Sequence, residues 1–254
     1  MVIEAEVPEH LIGSANPYPP TSQQCIFFYL RDKIMMQKKD SSFDEQARCI
    51  VVGPQVTRVN LITGKYFKAV RVGFEPGGLY RLLGIPMQLL FDEGFDAHQL
   101  IGVEAKELTE KLQQEKDHHT LKNLVEEFLL SKYNKLKEAL PIDMALKEMI
   151  RSDGSIPIEK LAALSCLSLR QFERQCIERI GLQPKLFSRI TRFSKAYRLY
   201  EADNNLNWTS IAYDCGYYDQ MHLIRDFKEF AGVTPRIIKH ELSEAPFRMQ
   251  KDIY

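Results

Sequence analysis

The chain has no long apolar run; its longest uninterrupted one, Cys25 to Leu30, is six residues. A membrane-spanning helix needs about 20, so no segment reads as one and no membrane partner is expected. Metal-binding signatures are missing too. The five cysteines (Cys25, Cys49, Cys166, Cys176, Cys215) form no CxxC, and the six histidines (His10, His98, His118, His119, His222, His240) form no HxH or HExxH. This pattern reads as reduced thiols in a reducing compartment, with no metal and no cofactor. Net charge is absent as well, 34 basic residues matching 34 acidic ones. The opening MVIEAEVPEH is acidic and has neither the basic start nor the apolar core of a signal peptide, so the expected location is cytoplasmic.

What is present is an ordinary globular composition, 44% hydrophobic and 27% charged over 254 residues. At about 150 residues per domain this suggests one large domain or two small ones. The first hundred residues read as short strands broken by turns: CIFFYLR (25–31), IMMQ (34–37), ARCIVV (47–52), QVTRVNLI (55–62) and YFKAVRVGF (66–74). FEPGG, Phe74 to Gly78, makes a turn with a short helix behind it. From Val103 the pattern is helical, and Leu121, Leu124, Val125, Phe128 and Leu129 form one stripe in a helix expected to run to Pro141. That stripe suits either core packing or a dimer seam. Beyond Pro141 every segment reads as helix or tight turn. The expected class is α+β: a small antiparallel β-rich, barrel-like domain with trailing helices (1–140), an all-α domain (141–241) and a loose tail (242–254).

The charge is unevenly placed. From Lys160 to Arg198 nine basic residues face only Glu173 and Glu178, a surplus of seven. Local fields of this kind matter more for binding nucleic acid than the total.

The same region contains an internal repeat. LAALSCLSLRQFERQCIERIGLQP (161–184) aligns with IAYDCGYYDQMHLIRDFKEFAGVTP (211–235), at an offset of 50 before and 51 after one extra residue in the second turn. Ala162 matches Ala212, Arg174 matches Arg225, Gly181 matches Gly232 and Pro184 matches Pro235. Each copy reads as helix, turn, helix. Ser168 with Gln171 forms a capping box, Asp219 is the matching N-cap, and the glycines suit the left-handed residue after a helix. Phe172 and Leu223 are placed inward. The opposite face then holds Arg170, Gln171 and Arg174 in the first copy, and Gln220, Met221, His222 and Arg225 in the second. Arg can fork onto guanine, and Met221 suits a thymine methyl. Lys185 to Asp203 lacks Gly and Pro and reads as one helix of about 28 Å, long enough to hold two reading helices about one DNA turn apart. Arg189, Arg192, Lys195 and Arg198 follow one another at intervals of three, facing phosphates or solvent. Trp208 is read as a packing residue.

On these residues the region from Ile142 to Glu241 resembles the DNA-binding domain of the AraC/XylS family of bacterial transcription regulators. The resemblance implies seven helices, two helix-turn-helix units, promoter DNA as partner and no enzymatic activity. It admits RNA polymerase, a small-molecule effector of the N-terminal domain and a second copy as further partners. SLRQFERQ and FEPGG further resemble a subgroup with a short N-terminal domain. Two departures stand out. Cys166 replaces the glycine usual in the first turn, at about 1 kcal/mol if that residue is left-handed. Glu173 faces outward, where it either accepts from cytosine or pairs with Arg170 or Arg174, the pairing being the expectation. The alternative functions are a partner-binding protein on the same fold and, from another class, a cysteine-based DNA-repair methyltransferase, for which Cys25 and Cys49 lack a cluster.

Overall fold

The computed structural model describes residues 1–203 and 205–250. Its first part is built on two antiparallel sheets. One takes strands in the order β1 (Val2–Glu6), β8 (Tyr66–Gly73), β3 (Cys25–Tyr29), β6 (Cys49–Val52) and β9 (Gly94–Asp96). The other runs β2 (Asn16–Tyr18), β7 (Val59–Thr63), β4 (Ile34–Lys38) and β5 (Asp44–Glu45).

The apolar run CIFFYL is explained by its place. Strand β3 lies between β8 and β6, pairing Phe28 with Val70 and with Cys49. Its alternate residues enter two cores, so neither face can be polar. Cys25, Phe27 and Tyr29 pack towards the second sheet with Tyr18, Val59 and Leu61. Ile26 and Phe28 pack the other way, under the helices α1 (Gly78–Leu83), α2 (Ala97–Ile101), α3 (Val103–Gln114) and α4 (His118–Ser131). The α4 stripe belongs to this second core: Leu121 and Val125 are buried, with Leu124, Phe128 and Leu129 packed at its margin. Of the two readings of the stripe, core packing is the one observed. The helix is shorter than expected, because beyond Leu130 the sequence offers no further apolar face. A 3-10 turn (Tyr133–Lys135) follows, and the connection is pinned to α1 by paired bonds between Arg81 and Lys137.

The second part is all helical: α5 (Pro141–Arg151), α6 (Ile158–Leu164), α7 (Leu169–Ile180), α8 (Pro184–Ala202), α9 (Trp208–Asp214), α10 (Gln220–Phe230) and α11 (Pro235–Glu244). One core, from Ile142 to Leu242, runs through all seven helices. Trp208 packs as expected, stacked on Tyr200 at 4.1 Å and edge-on to Phe227 at 4.9 Å.

The chain departs from the expected loose tail (242–254): residues 242–244 are the last of α11, with Leu242 in the helical core, and the segment after the helix packs on the sheet domain. Phe247 stacks on Phe67 at 5.0 Å, and Met249 and Gln250 are buried. The buried Glu201 carboxylate accepts from the backbone N–H groups of Met249 (3.2 Å) and Gln250 (2.7 Å), while Gln250 Nε2 donates to the Pro19 carbonyl. These contacts strap the end of α8 to the sheet domain. The expected tail also included residues 251–254, which lie outside the described residues.

Candidate nucleic-acid interface

The two repeats fold into one backbone design. In the first, Leu167 N–H donates to the Ala162 carbonyl at 3.0 Å and Cys166 N–H to Ala163 at 3.0 Å. In the second, Tyr217 donates to Ala212 at 2.9 Å and Gly216 to Tyr213 at 3.0 Å. Both turns pass through a left-handed residue, Cys166 at φ 54° and Gly216 at φ 69°. The non-glycine residue is therefore strained where its counterpart is not. Cys166→Gly is expected to raise folding stability by about 0.5–1 kcal/mol, read as a higher urea midpoint; an unchanged midpoint would show the turn to be unstrained.

The helices after each turn are capped as their sequences dictate. Ser168 Oγ accepts from Gln171 N–H, and the Gln171 side chain accepts from Ser168 N–H, closing the capping box. Asp219 Oδ1 accepts from His222 N–H at 2.7 Å. Phe172 and Leu223 are fully buried, so the opposite faces of α7 and α10 are turned outward. Arg170, Gln171 and Arg174 are exposed on α7; Gln220, Met221 and Arg225 are exposed on α10, with His222 half-buried edge-on to Tyr217. Arg170, Arg174 and Arg225 make no ion pair among the described residues, and neither does Glu173. The expected pairing of Glu173 with its neighbours is thus not formed: the three side chains share a solvent face where water screens such a pair. Lys228 was passed over in the sequence, although it lies two turns beyond Met221 on the Arg225 side of α10 and is exposed.

The connector cations sit differently from the phosphate-facing row their spacing suggested. Arg189 donates to Asp226 and Glu229 at 2.7 and 2.6 Å and lies over the Phe230 ring. The Glu229 and Asp226 carboxylates hold its guanidinium further into the charged form. Arg192 lies over Tyr217 and donates to the Gly154 carbonyl, and Lys195 bridges Asp153 and the Asp214 carbonyl. Arg198 bonds Ser194. A row spaced by three drifts around a helix of 3.6 residues per turn, so these side chains meet the flanking helices and brace the two units against α8.

The first unit is also clasped by the sheet domain. Arg179, counted with the basic surplus, is 6% exposed; its Nη1 lies 2.7 Å from both Asp143 oxygens and its ring-facing side covers Tyr80. The Tyr80 hydroxyl donates to Glu178 at 2.8 Å, a bond that raises the phenol's pKa. Gln24 Nε2 donates to the Ile180 carbonyl at 2.9 Å. Gly181, at φ 83°, lies so close to the sheet domain that a Cβ would stand 2.5 Å from Pro54 Cγ and 2.8 Å from the Met87 carbonyl oxygen.

Among the described residues no group of three or more His, Cys, Asp and Glu side chains is placed to hold a metal. Burial pushes the Cys49 thiol up to about 12 and Cys215 to about 11, and raises Cys25 and Cys176, so these four stay protonated and poorly nucleophilic. No described helix is long and apolar enough to cross a membrane.

The fold and this face define a class: a two-sheet domain joined to a paired helix-turn-helix domain on a single core. Residues 161–240 match the family model described as a helix-turn-helix domain. No curated protein matches the sequence. Among solved structures the chain is similar to ToxT from Vibrio cholerae, 13% identical with a TM-score of 0.54, over 96% of this chain and 98% of that one. ToxT from Vibrio cholerae strain SCE256 with a bound unsaturated fatty acid is 11% identical with a TM-score of 0.50, over 95% and 94%. The DNA-binding domain of AdpA, a global transcriptional factor solved with a target DNA, is 20% identical over 40% of this chain and 92% of that one, with a TM-score of 0.38. The chain therefore has the two-domain architecture of ToxT, an N-terminal antiparallel β-rich domain followed by an all-helical one, and it carries a helix-turn-helix domain.

Proposed function

We propose that the chain is a sequence-specific, non-enzymatic DNA-binding transcriptional regulator of the AraC/XylS type. The observation that carries this reading is the pairing of two capped helix-turn-helix units on one core, each turning an unpaired polar face outward. Arg170, Gln171 and Arg174 read one major groove, and Gln220, Met221, His222 and Arg225 the next. Arg189, Arg192 and Lys195 act as positioning residues that fix the angle between the units. The short-domain subgroup is part of this proposal on the sequence resemblance of SLRQFERQ and FEPGG; in that turn Gly77 is left-handed at φ 78°, and a Cβ there would collide with Asp143.

Effector control belongs to the same reading. An open cleft of about 600 Å³ separates the sheet domain from the second unit, with Lys39, Arg58 and Asn60 on one wall and Leu186, Phe230 and Glu241 on the other. A small molecule seated there touches both domains and so biases their arrangement. ToxT, a protein of this fold, has been solved with an unsaturated fatty acid bound.

Selection from a random-sequence duplex pool at two salt concentrations tests the reading. Enrichment of a two-part motif, its halves one helical turn apart, is the expected result; no enrichment by the chain, with or without a candidate effector, overturns it. On the selected site, Arg174→Ala should cost about 1–3 kcal/mol and relax preference at one position. Uniform weakening across sequences would make Arg174 a phosphate contact instead.

A further inference from the structure

Between Arg198 and Arg225 the chain carries no lysine or arginine. That stretch contains all of α9 and the turn into α10. In a helix-turn-helix the first helix crosses the DNA backbone, where cations are the usual phosphate contacts. Here the charges of α9 and the turn are Asp214 and Asp219. The nearest connector cations are engaged within the domain, Lys195 at Asp153 and Asp214 and Arg192 at Tyr217 and Gly154.

In the same stretch two tyrosines stand almost wholly in solvent, Tyr213 at 85% and Tyr218 at 93% exposure. Tyr213 projects from α9, and Tyr218 is the residue by which the second turn exceeds the first. Their neighbour Tyr217 is buried, with its hydroxyl bonded to Asp226. Neither exposed hydroxyl has a partner among the described residues, and neither ring enters a core. A phenol standing in water adds almost nothing to the fold. It can, however, donate to a phosphate oxygen while its ring covers a sugar.

We infer that Tyr213 and Tyr218 anchor the second unit to the DNA backbone as neutral donors, in the place that cations take elsewhere. This rests on the DNA-binding reading above. A consequence separates it from ordinary phosphate contact. Neutral donors displace no condensed counterions, so they add affinity without adding salt dependence. The entry sides of the two units then differ in kind: that of the first carries the exposed cation Lys160 on α6, while that of the second binds through hydroxyls, its exposed cations Arg225 and Lys228 standing on α10.

The test uses the full chain and the duplex recovered by selection, titrated at several salt concentrations. Tyr213→Phe and Tyr218→Phe keep ring and fold. Each is expected to weaken binding by about tenfold to a hundredfold, the cost of one lost bond to a charged acceptor. The slope of log affinity against log salt should stay as in the unsubstituted chain, whereas Arg174→Ala should make it shallower wherever Arg174 meets phosphate. Binding by both phenylalanine variants equal to that of the unsubstituted chain overturns the inference, and so does weaker binding with a shallower slope. If the unsubstituted chain selects no DNA, the regulator reading itself falls, and that is seen before any variant is made.

Discussion

Replacing Arg179 with alanine is expected to lower folding stability by about 3–5 kcal/mol, the usual cost of breaking a buried pair by removing one partner. The residue sits near the end of the first reading helix, yet its side chain is buried against the sheet domain and pairs with an Asp143 that is only 12% exposed. Asp143 meanwhile accepts from Leu140 N–H, which starts α5, and the Arg179 Nη2 donates to the Glu138 carbonyl. Alanine would leave the carboxylate without its cation, uncover Tyr80 and free the Glu138 carbonyl together. The expected readout is a lower urea midpoint with faster proteolysis of residues 132–140. Arg179→Met with Asp143→Leu should recover part of the loss, since two apolar groups need no compensation. It should not recover all, because the Leu140 cap is gone, worth about 1 kcal/mol. A single variant as stable as the parent would show that the pair between α7 and α5, with its cover over Tyr80, adds nothing to stability.

The clasp shows what the sequence could and could not display. The helix-turn-helix units were legible because everything that defines them is local: Ser168 and Asp219 cap helices that begin one residue later, and Gly216 and Gly232 mark turns within the same segment. The central strands were legible for a similar reason, since CIFFYL and CIVV are apolar on both faces. Strands β1, β2 and β9 were not. VIEAE carries two outward glutamates, and it becomes a strand only because Val2 pairs with Val70 across most of the domain. Strand β2, NPY, owes its burial to Val59 and Leu61 in the same way.

The basic surplus misled for a related physical reason. A count of charges along the chain records sign but not partner. Of nine cations between Lys160 and Arg198, Arg179 is buried in the domain clasp, while Arg189, Arg192, Lys195 and Arg198 are bonded within the helical domain. Lys160, Arg170, Arg174 and Lys185 are left exposed without an ion pair among the described residues. Within this stretch the cations left for a DNA backbone are therefore those of the first unit, while the second unit brings its own exposed ones, Arg225, Lys228, Arg236 and Lys239, from beyond it. Periodicity also concealed the strap after α11, because Phe247 and Met249 have no periodic partners and pack instead against the core between the two sheets.

Asp226→Ala is expected to cost about 2–4 kcal/mol and to act on binding through geometry rather than contact. Asp226 is fully buried beside the exposed Arg225, and its carboxylate ties three elements together. Oδ1 accepts from Arg189 on α8 at 2.7 Å, and Oδ2 from the Tyr217 hydroxyl in the turn at 3.2 Å. Burial, reinforced by the adjacent carboxylate, raises the Tyr217 pKa, so the phenol remains a donor throughout the physiological range. Alanine would leave that hydroxyl buried and unpaired and reduce Arg189 to its Glu229 contact. The pitch of α10 against α8 would then no longer be fixed. With DNA, the two-part site should lose most of its advantage over the isolated first half-site, while affinity for that half-site changes little, because Arg170 and Arg174 are untouched. Asp226→Asn keeps the shape and an acceptor for Tyr217 and should fall between the two. An unchanged ratio between the full site and the half-site would mean that α10 is held by its apolar face alone, through Leu223, Phe227 and Phe230, and that the carboxylate serves stability without setting the reading angle.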